Sequence, residues 1–166
     1  MKKLYLVRHA KSSWDDYTLA DEKRPLSERG VRDAPVMARM LKDQVPGIQK
    51  LITSTAKRAR QTASVFRKVL EMPKSDWVKT DSLYLASPYG IQELLAQLDD
   101  QLDTVAIFGH NPGFTDFVNR FSDKMIDNVP TCGLVRIDFN VESWTEIEPG
   151  SGKLVSFYYP KMIGLF

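Results

Sequence analysis

Basic side chains follow three short apolar runs of the sequence, at the point where each run ends. Arg8 and His9 come directly after the first run, and His110 follows the glycine that closes the third. The second run leads into a segment that carries Arg58. In open α/β sheets the ligand crevice lies beyond the carboxyl ends of the strands, so parallel neighbouring strands would bring these side chains together. Both histidines of the chain fall at these positions, and the sequence therefore predicts one positively charged site.

A site of this composition fits a compact dianion such as a phosphoryl group. Arg8 and Arg58 can each donate paired hydrogen bonds to phosphate oxygens. His110 is followed by Asn-Pro-Gly, which is typical of a helix that begins with proline, where free backbone N–H groups favour anions. Nearby positive charge disfavours protonation, so a histidine between these cations is expected to be neutral. A neutral imidazole is a nucleophile, and one of the two histidines can therefore attack phosphorus.

The elements that must position these residues alternate between strand and helix. Short continuous apolar runs predict buried strands, and apolar residues at spacings of three and four predict amphipathic helices. Ser27 is expected to cap the first helix, and Pro35 to kink or break it. The predicted strands lie at 4–7, 51–53, 77–80 and 104–108, and the predicted helices run from Ser27 to about 44, then over 56–71, 88–98 and 112–121.

The last third of the chain has a different pattern. Apolar and polar residues alternate over 134–139, 144–147 and 154–158, which predicts antiparallel strands, with a hairpin-like turn at 149–152 between the last two. Strand–helix alternation followed by such strands indicates an α/β fold. We expect three layers, with a mostly parallel central sheet flanked by helices and antiparallel strands toward the C-terminus.

Composition bounds the class of protein. The chain has 166 residues, 43% hydrophobic and 27% charged, with a net charge of +2. These values are typical of one globular domain over residues 1–166, and so mild a charge does not indicate a nucleic-acid partner. One cysteine, Cys132, excludes an internal disulfide or a CxxC motif and is expected to be a small buried side chain.

Other function classes lack a sequence signal. No group of His, Cys, Asp or Glu has metal-ligand spacing, and the nucleotide-binding glycine motifs do not occur, so we expect neither a metal nor another cofactor. The apolar run after Met1 stops at Arg8, which is too short for a signal peptide or a membrane span. We therefore expect a cytoplasmic protein with no membrane partner.

Three segments, in this order, resemble the signatures of the histidine phosphatase superfamily, the clan of phosphoglycerate-mutase-like and acid-phosphatase-like enzymes. They are Arg8-His9-Ala10, the stretch 54–62 that contains Arg58, and Gly109-His110-Asn111-Pro112-Gly113. The short length, and the segment 21–30, resemble the small bacterial branch of SixA-type phosphohistidine phosphatases. The resemblance covers essentially the whole chain and implies a phosphoglycerate-mutase-like fold.

The resemblance also implies roles for individual residues. His9 would be the nucleophile that becomes transiently phosphorylated, and Arg8, Arg58 and His110 would complete the phosphate pocket. Many members of the family carry Glu or Asp after the third strand as a general acid, and Asp81 is the nearest residue to that place.

Several other residues are candidates from their position alone. Ser12 follows the first motif and is a candidate phosphate contact. Asp21 and Arg24 are expected either to close over the site or to pair with each other. Four aromatic side chains are candidates to shape the substrate entrance: Trp14, Tyr17, Tyr84 and Tyr89.

The function that these observations favour is a phosphatase with a phosphohistidine enzyme intermediate. An alkoxide leaves poorly unless it is protonated, whereas the imidazole of a phosphohistidine leaves readily, so a site without a firm acid favours phosphohistidine in a protein. The expected partner is a phosphorylated protein, for example a histidine phosphotransfer domain in signal transduction, or a small phosphorylated molecule. Two alternatives stay open: a phosphatase or mutase for small phosphomonoesters, and a non-catalytic phosphate-binding module.

Overall fold

A six-stranded mixed sheet forms the centre of the protein in the computed structural model, which describes residues 1–44 and 47–164. Its strands are β1 (Lys2–Arg8), β2 (Lys50–Ser54), β3 (Trp77–Thr80), β4 (Thr104–Gly109), β5 (Leu134–Phe139) and β6 (Gly152–Tyr158). They lie in the order β3-β2-β4-β1-β5-β6. The first four strands are parallel to one another, whereas β5 is antiparallel to both β1 and β6. The predicted mostly parallel sheet with antiparallel strands toward the C-terminus is confirmed.

Four helices cover the two faces of this sheet. They are α1 (Glu28–Gln44), α2 (Lys57–Val69), α3 (Pro88–Ala96) and α4 (Gly113–Phe121). Tyr5 and Val7 of β1 belong to a buried cluster with α1 and α2, and Leu4 and Leu6 belong to a second cluster with α3 and α4. Because successive strand side chains point to opposite faces, β1 is buried on both sides and its apolar run shows no alternation.

The start of α1 follows the predicted chemistry, whereas the two prolines differ from the prediction. The Ser27 hydroxyl accepts a hydrogen bond from the Gly30 N–H at 3.2 Å, as expected of a cap. α1 continues through Pro35 without a break. Pro112 lies one residue before the first residue of α4 rather than at its first position.

In the described parts of the chain, no helix has the length and apolarity that a membrane crossing requires.

One predicted strand is wrong. Residues 144–147 contain the short 3-10 helix Trp144–Glu146 instead, and the strand that pairs with β6 is β5. The Ser143 hydroxyl accepts from the Thr145 N–H at 3.2 Å, and the Glu146 carboxylate accepts from the Ser143 N–H at 2.9 Å. These reciprocal bonds stabilise a helical turn. The hairpin-like turn predicted for 149–152 therefore does not join two paired strands.

Candidate active site

The two histidines follow paired positions on neighbouring parallel strands. Arg8 at the end of β1 lies opposite Gly109 at the end of β4, and the His9 N–H donates to the Gly109 carbonyl at 3.0 Å. The next residues along each strand are His9 and His110, and their ring centroids are 5.3 Å apart. Parallel strand pairing therefore brings the two imidazoles side by side at the carboxyl edge of the sheet, with their ring planes tilted by 51°.

The His9 ring is held in one tautomer. Its Nδ1 lies 2.7 Å from the backbone carbonyl oxygen of Ala10, which can only accept a hydrogen bond, so Nδ1 carries the proton and Nε2 keeps its lone pair. The His9 side chain is buried. Burial lowers its pKa to about 3, with the charges of Arg58 and Arg8 acting in the same direction. His9 is therefore a neutral imidazole with a free Nε2 throughout the neutral pH range.

His110 has hydrogen-bonding partners at both ring nitrogens. Its Nε2 lies 2.8 Å from the Ser54 hydroxyl and its Nδ1 lies 3.4 Å from Nη2 of Arg58. A guanidinium can only donate, so Nδ1 accepts and Nε2 donates to Ser54. Burial and the positive charge of Arg58 lower the pKa of His110 to about 4. His110 is thus also neutral near pH 7.

The guanidinium of Arg58 is oriented by Asp21. Its Nη1 donates to the Asp21 backbone carbonyl at 2.7 Å, and its Nη2 donates to the Asp21 carboxylate at 3.0 Å. The Tyr84 hydroxyl donates to the same carboxylate oxygen at 2.5 Å. Burial opposes ionisation of this carboxyl, but the hydrogen bonds from Tyr84 and Arg58 outweigh it and hold the pKa of Asp21 below its usual value.

Arg8 contributes a partly buried second guanidinium. Its Nη1 donates to the Val129 carbonyl at 3.0 Å, and its Nε is buried with no hydrogen-bonding partner among the described residues. Burial lowers the pKa of Arg8, and the positive charge of Arg58 adds to that effect. Two guanidinium groups held near each other in this way favour an anion that can neutralise both.

These residues surround one cavity of about 250 Å³. Five of the six predicted site residues line it, namely Arg8, His9, Ser12, Arg58 and His110. The Ser12 hydroxyl accepts a hydrogen bond from Arg24 Nη2 at 2.7 Å. The structure thus brings together the two arginines and the two histidines that the strand ends predicted, with the candidate Ser12 beside them.

Asp81, the candidate general acid, is not on the cavity lining. It is an exposed residue in a short 3-10 turn, where its carboxylate accepts a hydrogen bond from the Thr55 hydroxyl at 2.5 Å. Sequence reasoning missed the contact of Asp21 with Arg58, because no local pattern links residues 37 positions apart. It also missed two lining residues outside the motifs, Leu85 and Thr131, whereas the loop of Lys11 was expected to line the pocket.

The predicted aromatic residues divide between two regions. Trp14 lines the cavity, and its ring centroid lies 3.2 Å from Cζ of Arg24. Tyr84 contacts the site through Asp21 and places its ring against His110, with centroids 5.5 Å apart. Tyr89 lies elsewhere, where its hydroxyl accepts from Arg120 at 2.9 Å.

No cluster of three or more His, Cys, Asp or Glu side chains within 1–44 and 47–164 is arranged to hold a metal ion.

Comparison with known proteins relates this chain to a family. The family model described as "Histidine phosphatase superfamily (branch 1)" matches residues 4–83. Among curated proteins, the uncharacterized protein ML1117 of Mycobacterium leprae is 30% identical over 168 residues, covering 93% of this chain and all of that protein.

Solved structures agree with this assignment. A structure reported as a candidate phosphohistidine phosphatase SixA from Agrobacterium tumefaciens is 25% identical, with a TM-score of 0.80, and the match covers 96% of this chain and 98% of that one. A protein histidine phosphatase SixA complexed with tungstate shares the fold at 21% identity, with a TM-score of 0.82 over 97% of this chain and 99% of that one.

Proposed function

Because this chain belongs to the histidine phosphatase superfamily, in its SixA-like branch, we propose that it removes the phosphoryl group from phosphohistidine in a protein substrate, with His9 as the nucleophile. The observation that carries the proposal is the tautomer of His9, whose Nδ1 donates to the Ala10 carbonyl and leaves Nε2 free to attack. A phosphatase needs a nucleophile that is neutral at working pH, and the lowered pKa of His9 meets that requirement.

The first chemical step forms a phosphoenzyme. The His9 Nε2 lone pair forms a bond to phosphorus while the P–N bond of the substrate breaks. The bonding electron pair stays on the departing nitrogen, and the substrate ring leaves as a neutral imidazole because its second nitrogen already carries a proton. Arg8 and Arg58 line the cavity and stabilise the negative charge on the transferring phosphoryl oxygens, and His110 lies beside them with a hydrogen bond to Arg58. A water molecule then attacks phosphorus, and the bond between phosphorus and Nε2 of His9 breaks. This second step releases inorganic phosphate and regenerates neutral His9.

The carboxylates near the site support phosphohistidine over phosphate esters. The cavity lining contains no Asp or Glu among the described residues, and Asp21 at its edge has a lowered pKa. An ionised carboxylate cannot donate a proton to a departing alkoxide at neutral pH. The imidazole of a phosphohistidine leaves without so strong an acid, so the site suits a P–N bond.

The surroundings of the cavity support a protein substrate. Trp14 and Leu85 line the cavity, and 64% and 56% of their surfaces are exposed to solvent. Exposed apolar side chains around a polar site are typical of a surface that contacts another protein.

We also propose that the reaction needs no metal, because the guanidinium groups supply the positive charge, and we expect full activity in the presence of EDTA.

A test of this function combines substrate comparison with trapping of the intermediate. We expect phosphate release from a phosphohistidine peptide to be at least tenfold faster, in kcat/KM, than release from phosphoserine peptides or sugar phosphates. His9→Ala should abolish turnover of both the peptide and a small aryl phosphate, by at least a thousandfold, while circular dichroism shows an unchanged fold. Rapid quenching should label His9 with phosphate in the unmodified protein, and tungstate should inhibit competitively.

The remaining outcomes separate the alternatives. Faster turnover of sugar phosphates than of phosphohistidine would favour an enzyme for small phosphomonoesters. A pocket that binds phosphate without labelling of His9 would favour a non-catalytic binding module. Near-normal activity of the His9→Ala variant would end the proposal.

A further inference from the structure

One wall of the cavity carries positive charge that a single phosphoryl group does not use. We call it the Lys11–Arg24 wall; it consists of Lys11, Ser12, Trp14 and Arg24, which all line the cavity. The lining as a whole contains four cationic side chains, those of Arg8, Lys11, Arg24 and Arg58, and no Asp or Glu among the described residues. Arg8 and Arg58 suffice for a dianion, since each guanidinium carries one positive charge.

Arg24 is a fixed cation of this wall. Its guanidinium donates to the Ser13 carbonyl at 3.1 Å and to the Ser12 hydroxyl at 2.7 Å, and it stacks on the ring of Trp14. The Arg24 residue is only 6% exposed. Burial of a guanidinium is costly unless an anion lies close to it.

The carboxylate available to Arg24 is shared. Asp21 Oδ1 lies 3.5 Å from Arg24 Nη1, which is a long contact, while Oδ2 of the same carboxylate is 3.0 Å from Arg58 Nη2 and 2.5 Å from the Tyr84 hydroxyl. One carboxylate therefore serves two guanidinium groups. The wall keeps a positive charge that a further anion would neutralise.

Lys11 adds a second cation from a fixed backbone. Its carbonyl accepts from the Ser27 N–H at 2.8 Å and from the Ser27 hydroxyl at 3.0 Å. Helix α1 packs so closely here that a Cβ built on Gly30 would lie 2.2 Å from that carbonyl oxygen. The Lys11 ammonium makes no ion pair with any residue of 1–44 or 47–164 and is free to meet a ligand.

From this arrangement we propose that the Lys11–Arg24 wall binds a second anionic group of the substrate, a carboxylate or a phosphate, beside the phosphoryl group at His9. One liquid water takes about 30 Å³, so the cavity of about 250 Å³ has the volume of several waters. That volume leaves room for both anionic groups. The inference rests on the proposed function of the same cavity. On a protein substrate, the second group would be an Asp or Glu side chain that neighbours the phosphohistidine.

The decisive test measures binding without turnover. We would compare by calorimetry the affinities of 3-phosphonopropionate and its neutral amide, which differ only in the second charge. The unmodified protein should bind the carboxylate about fivefold more tightly, as expected for one solvent-exposed charge pair. The preference should fall to about one in Lys11→Gln, return in Lys11→Arg, and shrink as the salt concentration rises.

Lys68→Gln is the matched control, because Lys68 is an exposed lysine near the far end of α2 and should keep the fivefold preference. Equal affinities for the two ligands in the unmodified protein, or a preference that survives Lys11→Gln, would overturn the inference and leave the proposed function intact. Failure of both phosphonates to bind would overturn both proposals.

A second arm identifies the source of the anionic group. Two phosphohistidine peptides, one with flanking Asp residues and one with flanking Asn residues, would be compared in kcat/KM. A preference of about fivefold for the Asp peptide, lost in Lys11→Gln, supports an acidic side chain of a protein. The phosphonate preference without any peptide preference would instead support a small molecule with two anionic groups and would overturn the protein form of the inference.

Discussion

Asp21 binds Arg58 through both its backbone and its side chain, and so holds a guanidinium of the cavity lining from outside the three motif segments. The backbone carbonyl accepts from Nη1 at 2.7 Å and the carboxylate accepts from Nη2 at 3.0 Å. The plane of this guanidinium is therefore set by a loop residue. Positioning of this kind decides how well the charge on a transferring phosphoryl group is met.

Loss of this contact should slow catalysis. We expect Asp21→Asn to lower kcat about tenfold or more, because a hydrogen bond to a charged group contributes about 1.5–3 kcal/mol. Tyr84→Phe should cost less, about threefold to tenfold, and the double variant should be little worse than Asp21→Asn, since Tyr84 acts through Asp21. Steady-state kinetics on a phosphohistidine peptide checks this, with Tyr89→Phe as the control. Fully additive losses would mean that Tyr84 acts independently, for example through its contact with His110.

The two histidines should not titrate in the usual range. Burial lowers the pKa of His9 to about 3 and that of His110 to about 4. Since these are the only histidines, proton NMR of untagged protein should show two imidazole signals with constant shifts from pH 8 to pH 5. Bound tungstate should raise the pKa of His110, because a nearby dianion favours the imidazolium. A transition near pH 6.5 in the free protein would contradict the described environment.

The same shifts predict lower stability in acid. The folded-state pKa values of both histidines lie below the value of 6.5 expected when the chain is unfolded, so the unfolded chain binds more protons between pH 6.5 and about 4. The free energy of unfolding should therefore fall as pH drops through this window. Urea unfolding at several pH values measures the slope, and a His9→Asn variant should reduce it.

Thr62 links the first and second motifs in the buried interior. Its hydroxyl accepts from the Ala10 N–H at 3.0 Å and donates to the Arg58 carbonyl at 2.8 Å. Thr62→Val would leave the Ala10 N–H buried and unpaired, and should lower the free energy of unfolding by about 1–3 kcal/mol. Thr62→Ser keeps the hydroxyl and should lose much less. Equal losses in the two variants, measured by urea unfolding, would show that the hydroxyl is not what matters.

Gly113 allows the start of α4 to lie against the backbone just before α3. A Cβ on Gly113 would lie 1.9 Å from the Ala86 carbonyl oxygen, whereas a Cβ on Gly90 would lie 3.3 Å from the Ser87 hydroxyl, the end of a short side chain. We expect Gly113→Ala to lower the free energy of unfolding by about 1–3 kcal/mol and to displace His110, thus reducing kcat. Gly90→Ala should change stability by less than about 1 kcal/mol. Similar melting temperatures for the two variants would contradict this.

The parts of the fold that the sequence predicts are those with a one-dimensional signature. The centre of β1 is buried on both faces, so residues 4–7 form an uninterrupted apolar run, and Ser27 caps α1 with a side chain whose preference for that place is local. Residues 144–147 misled the prediction because a four-residue alternation is equally compatible with a helical turn. Trp144 and Ile147 are buried there, but their spacing of three is helical.

The residues of the site also fall into two groups, those that the sequence predicts and those that it does not. His9 and His110 could be placed together because strand ends meet at one edge of a parallel sheet. The pairing of Asp21 with Arg24 was one of two expected arrangements and is present as a 3.5 Å contact. The hold of Asp21 on Arg58 and the contact of Tyr84 depend on how loops pack in three dimensions, and no spacing in the chain encodes them.

The strand register that aligns Arg8 with Gly109 has a consequence for how such a protein can change its substrate. Neighbouring strands in any sheet are about 4.8 Å apart, and the two imidazoles extend from adjacent strands with their centroids at 5.3 Å. The separation of the two imidazoles is thus set mainly by the spacing of β1 and β4. In the proposed function, a new substrate specificity would therefore have to come from the loops at the mouth of the cavity, while the separation of the two imidazoles stays the same.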